Sequence, residues 1–419
     1  MSATPVPDPE AIEARLRHLA EYVDDDYQGW TRVVLSDPYR ASRDWIRSAM
    51  REAGLEVRLD GAGNIVGRLP GRNAHLKPVM TGSHTDTVVS GGRFDGIVGV
   101  VGAIEVASLL RESGASLERD LYVVDFFGEE ANRFGTSCLG SRAMVGGLTR
   151  SHLDLTDADG RKLGTDLEQF GVDPGAAVAQ AWPEDSLHAY VELHVEQGPR
   201  LERGGTDIGV VTAITGITRV LATFTGRTDH AGTMPMADRQ DALASAAAAV
   251  LAVEREGCGA PAGGVATVGR VDASPGIVSA VPGEARVWAE LRSTDAGWLG
   301  QAHRNLVDQI GREADSRGVS AVLDWLNEGA PVPTSPTIRD HIARASEGRG
   351  LSWQAVPSGA GHDAAHLAAL GPMGMIFVPS AAGRSHCPEE FTATEQINRG
   401  VQVLLDTLVS LDAETGALA

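Results

Sequence analysis

At 419 residues with 42% apolar side chains, the chain is too long for one simple core, and its 22% charged residues are the share of a packed globular protein, which excludes a disordered or fibrous one. A formal net charge of −20 argues against nucleic acid and anionic membrane as partners, since both would repel it. Cys138, Cys258 and Cys387 are scattered without CxxC spacing, so neither a disulfide framework nor a thiolate zinc site is expected.

In chain order, apolar spacing from Pro9 to Val23 and from Tyr39 to Ala53 predicts two amphipathic helices. LEVRLD and IVGRLPG, separated by GAGN, read as a pair of strands. PVMTGSHTDTV reads as a strand running into a polar loop, and Ile97 to Arg111 as a helix with small residues at packing positions. LYVVDFFGEE and HAYVELHVEQGPRLE supply two further strands. Strands alternating with helices predict an α/β sheet covered by helices, whose ligand crevice lies at the carboxyl ends of the strands.

Between Gly216 and Asn327 the texture changes. ITRVLATFTGRT, GVATVGRVDA, EARVWAELRSTD and VSAVLDWLNE read as strands, and DALASAAAAVLAVERE and LGQAHRNLVDQIGREADSRG as helices. That order is the β-α-β-β-α-β of a ferredoxin-like domain. A Pro-rich joint, GAPVPTSP, then leads back into helices and apolar strands. The expected organisation is an α/β domain of residues 1–215 and 328–419, interrupted by a small domain of residues 216–327. No apolar run reaches transmembrane length and the start lacks a basic-then-apolar export pattern, so the cytoplasm is the default location.

The chemistry concentrates in five short stretches at strand ends or adjoining loops. They are GSHTDTV (His84, Asp86), GGRFDG (Asp95), FFGEEANRFG (Glu129, Glu130), ELHVEQGP (His194, Gln197) and GRSHCPEEF (His386). An isolated Glu-Glu pair more often marks a solvated turn, and a single His a hydrogen-bonded core or surface residue. Five coincident clusters of imidazole and carboxylate shift that balance towards a metal site without thiolate, of the kind that suits zinc or manganese.

The ordered set GSHTDTV, GGRFDGIVGVVGAIE, GEEANRFG, ELHVEQGP, HAGTMPM, GAGHDA and FVPSAAGRSHCPEE resembles the amidase/carbamoylase family of dinuclear zinc hydrolases, from roughly Thr31 to Thr392. The resemblance implies a zinc-peptidase-like α/β catalytic domain with an inserted ferredoxin-like lid and dimerisation domain. It implies two divalent ions, zinc or else manganese or cobalt, bridged by Asp95. His84 and His194 would complete one site, and Glu130 and His386 the other. Asp86 would orient the His84 imidazole, and Glu129 would act as general acid/base. His230 would reach the active site of the partner subunit in a homodimer, and Gln197, Ser279, Arg292, Gly361 and His362 would face the substrate.

Read without the resemblance, His230 is a loop histidine in a Gly-rich turn, His362 part of a tight turn, and Arg292 a strand Arg paired with Glu290 or Asp295. Two positions depart from the family pattern: Ser279 stands where the family has Asn, and Cys387 follows His386 where the family has Asn. The implied activity is hydrolysis of a linear C–N bond, foremost in an N-carbamoyl amino acid bearing a carboxylate. An N-acyl amino acid, allantoate or another amide is the alternative substrate. A metal-loaded binding protein without catalysis is the reading from another class, and it leaves Glu129 without a purpose.

Overall fold

Val79–His84, Ala189–Val195 and Met373–Val378 are buried along their whole length, as befits parallel strands covered on both faces. In the computed structural model, which describes residues 6–414, Gly416 and Leu418, they lie at the centre of a mixed sheet. Its order is Glu56–Leu59, Ile65–Leu69, Leu121–Phe126, Val79–His84, Ala189–Val195, Met373–Val378 and Ile208–Ile214. Three neighbouring pairs are parallel, 79–84 with 121–126, 79–84 with 189–195, and 373–378 with 189–195. The outer pairings are antiparallel. The sheet is therefore mixed, a detail that local sequence pattern leaves open.

Helix Ile97–Glu112 has almost no polar face, and every residue from Ile97 to Leu110 is buried. It packs against the central strands and against helix Thr394–Asp412, and its Val and Ile side chains share one core with Val191, Leu193, Val401 and Leu405. An all-round apolar helix of this kind is stable only as a buried layer. Its glycines permit the approach: a Cβ at Gly99 would lie 2.4 Å from the Leu193 carbonyl oxygen.

The described chain divides into two compact units. One comprises the described residues through Thr212, Thr334–Val356 and those from His362 onward; the other is Ala213–Pro333 with Pro357–Gly361. The second unit holds an antiparallel sheet in the order Ser320–Gly329, Gly216–Thr225, Glu284–Ser293, Val265–Ser274. Burial alternates along Gly216–Thr225 and Glu284–Ser293, so one face is covered. Helices Ala242–Cys258 and Ala296–Asp315 supply that cover, each N-capped by an aspartate, Asp241 and Asp295. Among the described residues no helix is long and apolar enough to cross a membrane.

Candidate metal centre

Strand register assembles the site. Parallel pairing sets His84 opposite Phe126, so Phe127–Glu130 leaves the sheet beside His84. On the other side Val79 pairs with Ala189 and Thr81 with Val191. Carried to the strand ends, that register brings His84 level with His194, and their rings lie 5.9 Å apart. Gly96 (φ +69°) opens helix Ile97–Glu112 at the same edge; a Cβ there would sit 2.3 Å from His84 Nε2. Glycine is required there by both the backbone conformation and the close approach.

Asp95 divides its oxygens between two groups of donors. Its Oδ1 lies 3.1 Å from His194 Nε2 and 3.8 Å from His84 Nε2. Its Oδ2 lies 3.2 Å from His386 Nε2, which is 3.3 Å from Glu130 Oε1. In each set, His84–Asp95–His194 and Asp95–Glu130–His386, one donor atom per residue falls within 4.8 Å of the others. Backbone carbonyls orient the two buried imidazoles: His194 Nδ1 is 2.8 Å from Val195 O, and His84 Nδ1 3.1 Å from Asp86 O. A proton on each Nδ1 leaves the Nε2 lone pair for a cation. At His194 that nitrogen also accepts the Gly96 N–H at 3.2 Å, as a lone pair would. Glu192–His194–His362 form a further grouping, but it reuses His194 and so adds no independent site.

The Asp86 carboxylate accepts the consecutive backbone N–H groups of Glu129 and Glu130, at 3.1 Å each. Its Oδ1 is also 3.5 Å from His84 Nδ1. This fork fixes the turn, and the two glutamates then part. Glu129 Oε2 lies 3.5 Å from His84 Nε2, whereas Glu130 faces His386. Burial pushes the Glu129 carboxyl well above the usual range, against the pull of His84. Burial raises Glu130 as well. At Asp95 burial is outweighed by hydrogen bonds from His194 and His386, which hold the carboxyl well below its usual value.

Asp86, Asp95, Glu129, Glu130, Glu192, Asp363 and Glu390 are all buried here, against the imidazoles of His84, His194, His362 and the more exposed His386. Burying that excess of carboxylate costs several kcal/mol per uncompensated ion. Divalent cations between oxygen and imidazole donors answer it, so the residues present fit such ions.

Gln197 lies against the second set, its Nε2 2.7 Å from Asp95 Oδ2, while its Oε1 is buried without a partner. The His362 ring meets that of His194 edge-on at 4.5 Å. His230, Ser279, Arg292 and Gly361 belong to the second unit. There Ala280 pairs with His230, and the Ala231 N–H donates to the Ser279 carbonyl at 2.9 Å, so His230 and Ser279 are neighbours. Arg292 Nε donates to Glu290 at 2.5 Å and its Nη1 to the Gly359 carbonyl at 3.3 Å, while Asp295 caps a helix instead.

Two carboxylates of the sequence clusters are engaged elsewhere: Glu196 accepts the N–H groups of Arg200 and Leu201, and Glu389 pairs with Arg384. Sequence reading passed over Glu192 and Asp363. Alternation along the strand was the available signal for Glu192, since Tyr190, Glu192 and His194 share one face.

Fold and donor sets together define a metal-dependent hydrolase of linear amide or ureido bonds. The chain belongs to the peptidase family M20/M25/M40, whose sequence model matches residues 80–410. It is 39% identical over 408 residues to an N-carbamoyl-L-amino-acid amidohydrolase of Paenarthrobacter aurescens, covering 96% of this chain and 98% of that one. It is 33% identical over 402 residues to an allantoate amidohydrolase of Bacillus subtilis (strain 168), covering 96% and 97%. The crystal structure of a hydantoinase/carbamoylase family amidase from Burkholderia multivorans matches with a TM-score of 0.87 at 36% identity, covering 98% of this chain and 99% of that one.

Proposed function

We propose that this chain hydrolyses N-carbamoyl-L-amino acids to the amino acid, ammonia and carbon dioxide, in the cytoplasm. Two divalent cations, zinc or else manganese or cobalt, would be held by His84, Asp95 and His194 and by Asp95, Glu130 and His386. The observation that carries the reading is the division of the Asp95 oxygens between two donor sets. When bound, such ions polarise a carbonyl and bring the pKa of water down to roughly 7. Glu129 takes the proton of the attacking water and returns it to the leaving nitrogen. Asp86 holds the Glu129 backbone while this happens.

The second unit, as a lid and dimerisation domain, supplies the remaining groups. The Gly232 N–H donates to His230 Nδ1 at 3.0 Å, which places the ring proton on Nε2. That nitrogen steadies the developing oxyanion in the partner subunit's site. Arg292 receives the substrate carboxylate on the N–H groups it does not give to Glu290 and Gly359. Gln197, Ser279, Gly361 and His362 complete the substrate contacts. Ser279 is shorter than an Asn by one amide group, so it offers that carboxylate one donor fewer.

A metal assay followed by activity measurements tests the reading, with ammonia release followed for N-carbamoyl amino acids and allantoate and free amino acid release for N-acyl amino acids. Chelation is expected to abolish activity and zinc, manganese or cobalt to restore it, with N-carbamoyl-L-amino acids turned over fastest. Turnover of allantoate with none of N-carbamoyl-L-amino acids would overturn the substrate. Undiminished metal content in Asp95→Ala would overturn the bridge.

A further inference from the structure

Glu390 comes from the same loop as His386 yet makes none of the donor contacts described above. It is 3% exposed, and each of its oxygens is committed to a specific partner. Oε1 accepts two consecutive backbone N–H groups, those of Phe94 at 2.8 Å and Asp95 at 3.1 Å. Oε2 lies 2.6 Å from Ser385 Oγ, and that hydroxyl lies 2.8 Å from Asp95 Oδ2. One carboxylate thus grips the backbone of Asp95, while the Ser385 hydroxyl stands between the two side chains with one proton to give to either Glu390 Oε2 or Asp95 Oδ2. The segments it joins are 290 residues or more apart in sequence.

The neighbouring loop comes close enough to require glycine at the contact. A Cβ on Gly92 would lie 2.1 Å from Glu390 Oε1 and 2.5 Å from its Cβ, so only glycine lets the carboxylate reach the loop. Phe94 and Phe391 pack edge to face at 5.7 Å on the flank, and the Glu390 N–H closes a turn onto the Cys387 carbonyl. His84 and His194 need no such brace, because each stands at the end of a fully buried central strand. Asp95 and His386 sit on loops, the latter with φ +56°. A loop-borne donor set lacks the sheet's hydrogen-bond ladder, and this latch replaces it.

We propose that Glu390 is a positioning residue that locks the Asp95 loop to the His386 loop and so sets the Asp95–Glu130–His386 donor set, leaving the strand-held pair His84 and His194 largely independent of it. The proposal rests on the dinuclear reading for its metal consequence but not for its structural one. Two measurements therefore run side by side on the full chain, in wild type, Glu390→Ala and Glu390→Gln.

The first is amide hydrogen exchange of the metal-free protein. Glu390→Ala is expected to speed exchange at Phe94 and Asp95 while the strands 79–84 and 189–195 keep their protection. The second is zinc titration against a chromophoric chelator. Glu390→Ala is expected to keep one tight equivalent and to weaken the other by about 10–100-fold, the usual effect of losing a partner that orients a ligand. Glu390→Gln retains an acceptor for the two N–H groups and replaces the acceptor facing Ser385 with an amide donor, which leaves the Ser385 hydroxyl proton for Asp95, and it is expected to recover most of that affinity. Should Glu390→Ala lose protection throughout the chain, a general folding role replaces the latch unless Glu390→Gln restores both the protection and the second equivalent. Unchanged exchange at 94–95 overturns the latch. Uptake of a single equivalent by wild type overturns the dinuclear reading instead, and exchange then decides the latch alone.

Discussion

Glu129 and Glu130 are consecutive, and one aspartate separates their tasks. Because Asp86 pins both of their N–H groups, the turn cannot rotate to exchange the side chains. One is left beside His84 and the other beside His386. Their substitutions should therefore differ in kind. Glu129→Gln is expected to bind metal as wild type does and to lose turnover by about 10²–10⁴-fold or more, the usual contribution of general acid/base help. Glu130→Gln is expected to lose metal. Metal analysis alongside kcat checks both, and near-normal turnover in Glu129→Gln would remove it from the proton transfer. The pair was readable as unusual from its place after a strand, whereas the fork beneath it was not. The family resemblance gives the Asp86 carboxylate to the imidazole of His84, two residues away. In the fold the Asp86 Oδ1 lies 3.5 Å from His84 Nδ1 with the Asp86 carbonyl nearer at 3.1 Å, and the same carboxylate also takes the N–H groups of residues 43 and 44 positions away.

Among elements, those that local pattern announces were legible. Apolar runs at 79–84, 121–126 and 189–195 became strands, and the small-residue helix became Ile97–Glu112. The short helices Leu139–Met144, Arg150–Leu153, Leu163–Phe170 and Pro174–Ala179 went unread, since helices of that length are marginal alone and exist through packing. Helix Asp363–Leu367 is equally short, and it packs against Leu139–Met144. Burial, with a smaller push from the Arg142 guanidinium, brings its His366 down from the ordinary 6.5 to about 4. Between those values the unfolded chain binds a proton that the folded chain refuses, so stability is full above pH 6.5 and falls as pH drops towards 4. For this partly buried ring the loss is roughly 2 kcal/mol by pH 5. Urea unfolding at pH 7.5 and pH 5 should show a steeper loss in wild type than in His366→Gln, with the difference between the two proteins as the readout. Equal losses would mean that His366 titrates normally in the fold.

At the scale of the whole molecule, the groups proposed to act on one substrate are divided between two units. The donor sets belong to the first, and His230, Ser279 and Arg292 to the second. Sequence order alone separated His230 from the metal residues, because it sits inside the β-α-β-β-α-β segment. What the structure adds is its state: an exposed ring whose Nδ1 is occupied by the Gly232 N–H, beside exposed apolar side chains at Met236, Ile277 and Val278. An exposed donor histidine amid uncovered apolar residues is what a site completed by a second copy would present. If His230 acts in trans, each active site of a two-fold dimer draws Glu129 from one chain and His230 from the other. Mixing inactive His230→Ala and Glu129→Gln subunits then gives heterodimers with one doubly defective site and one intact site. With random exchange half of the dimers are mixed, so recovery of about a quarter of wild-type activity is expected. The amount should track the measured fraction of heterodimer. Heterodimers verified by mass spectrometry that stay as inactive as their parents would place His230 outside the partner's site, and the second unit would then need another role.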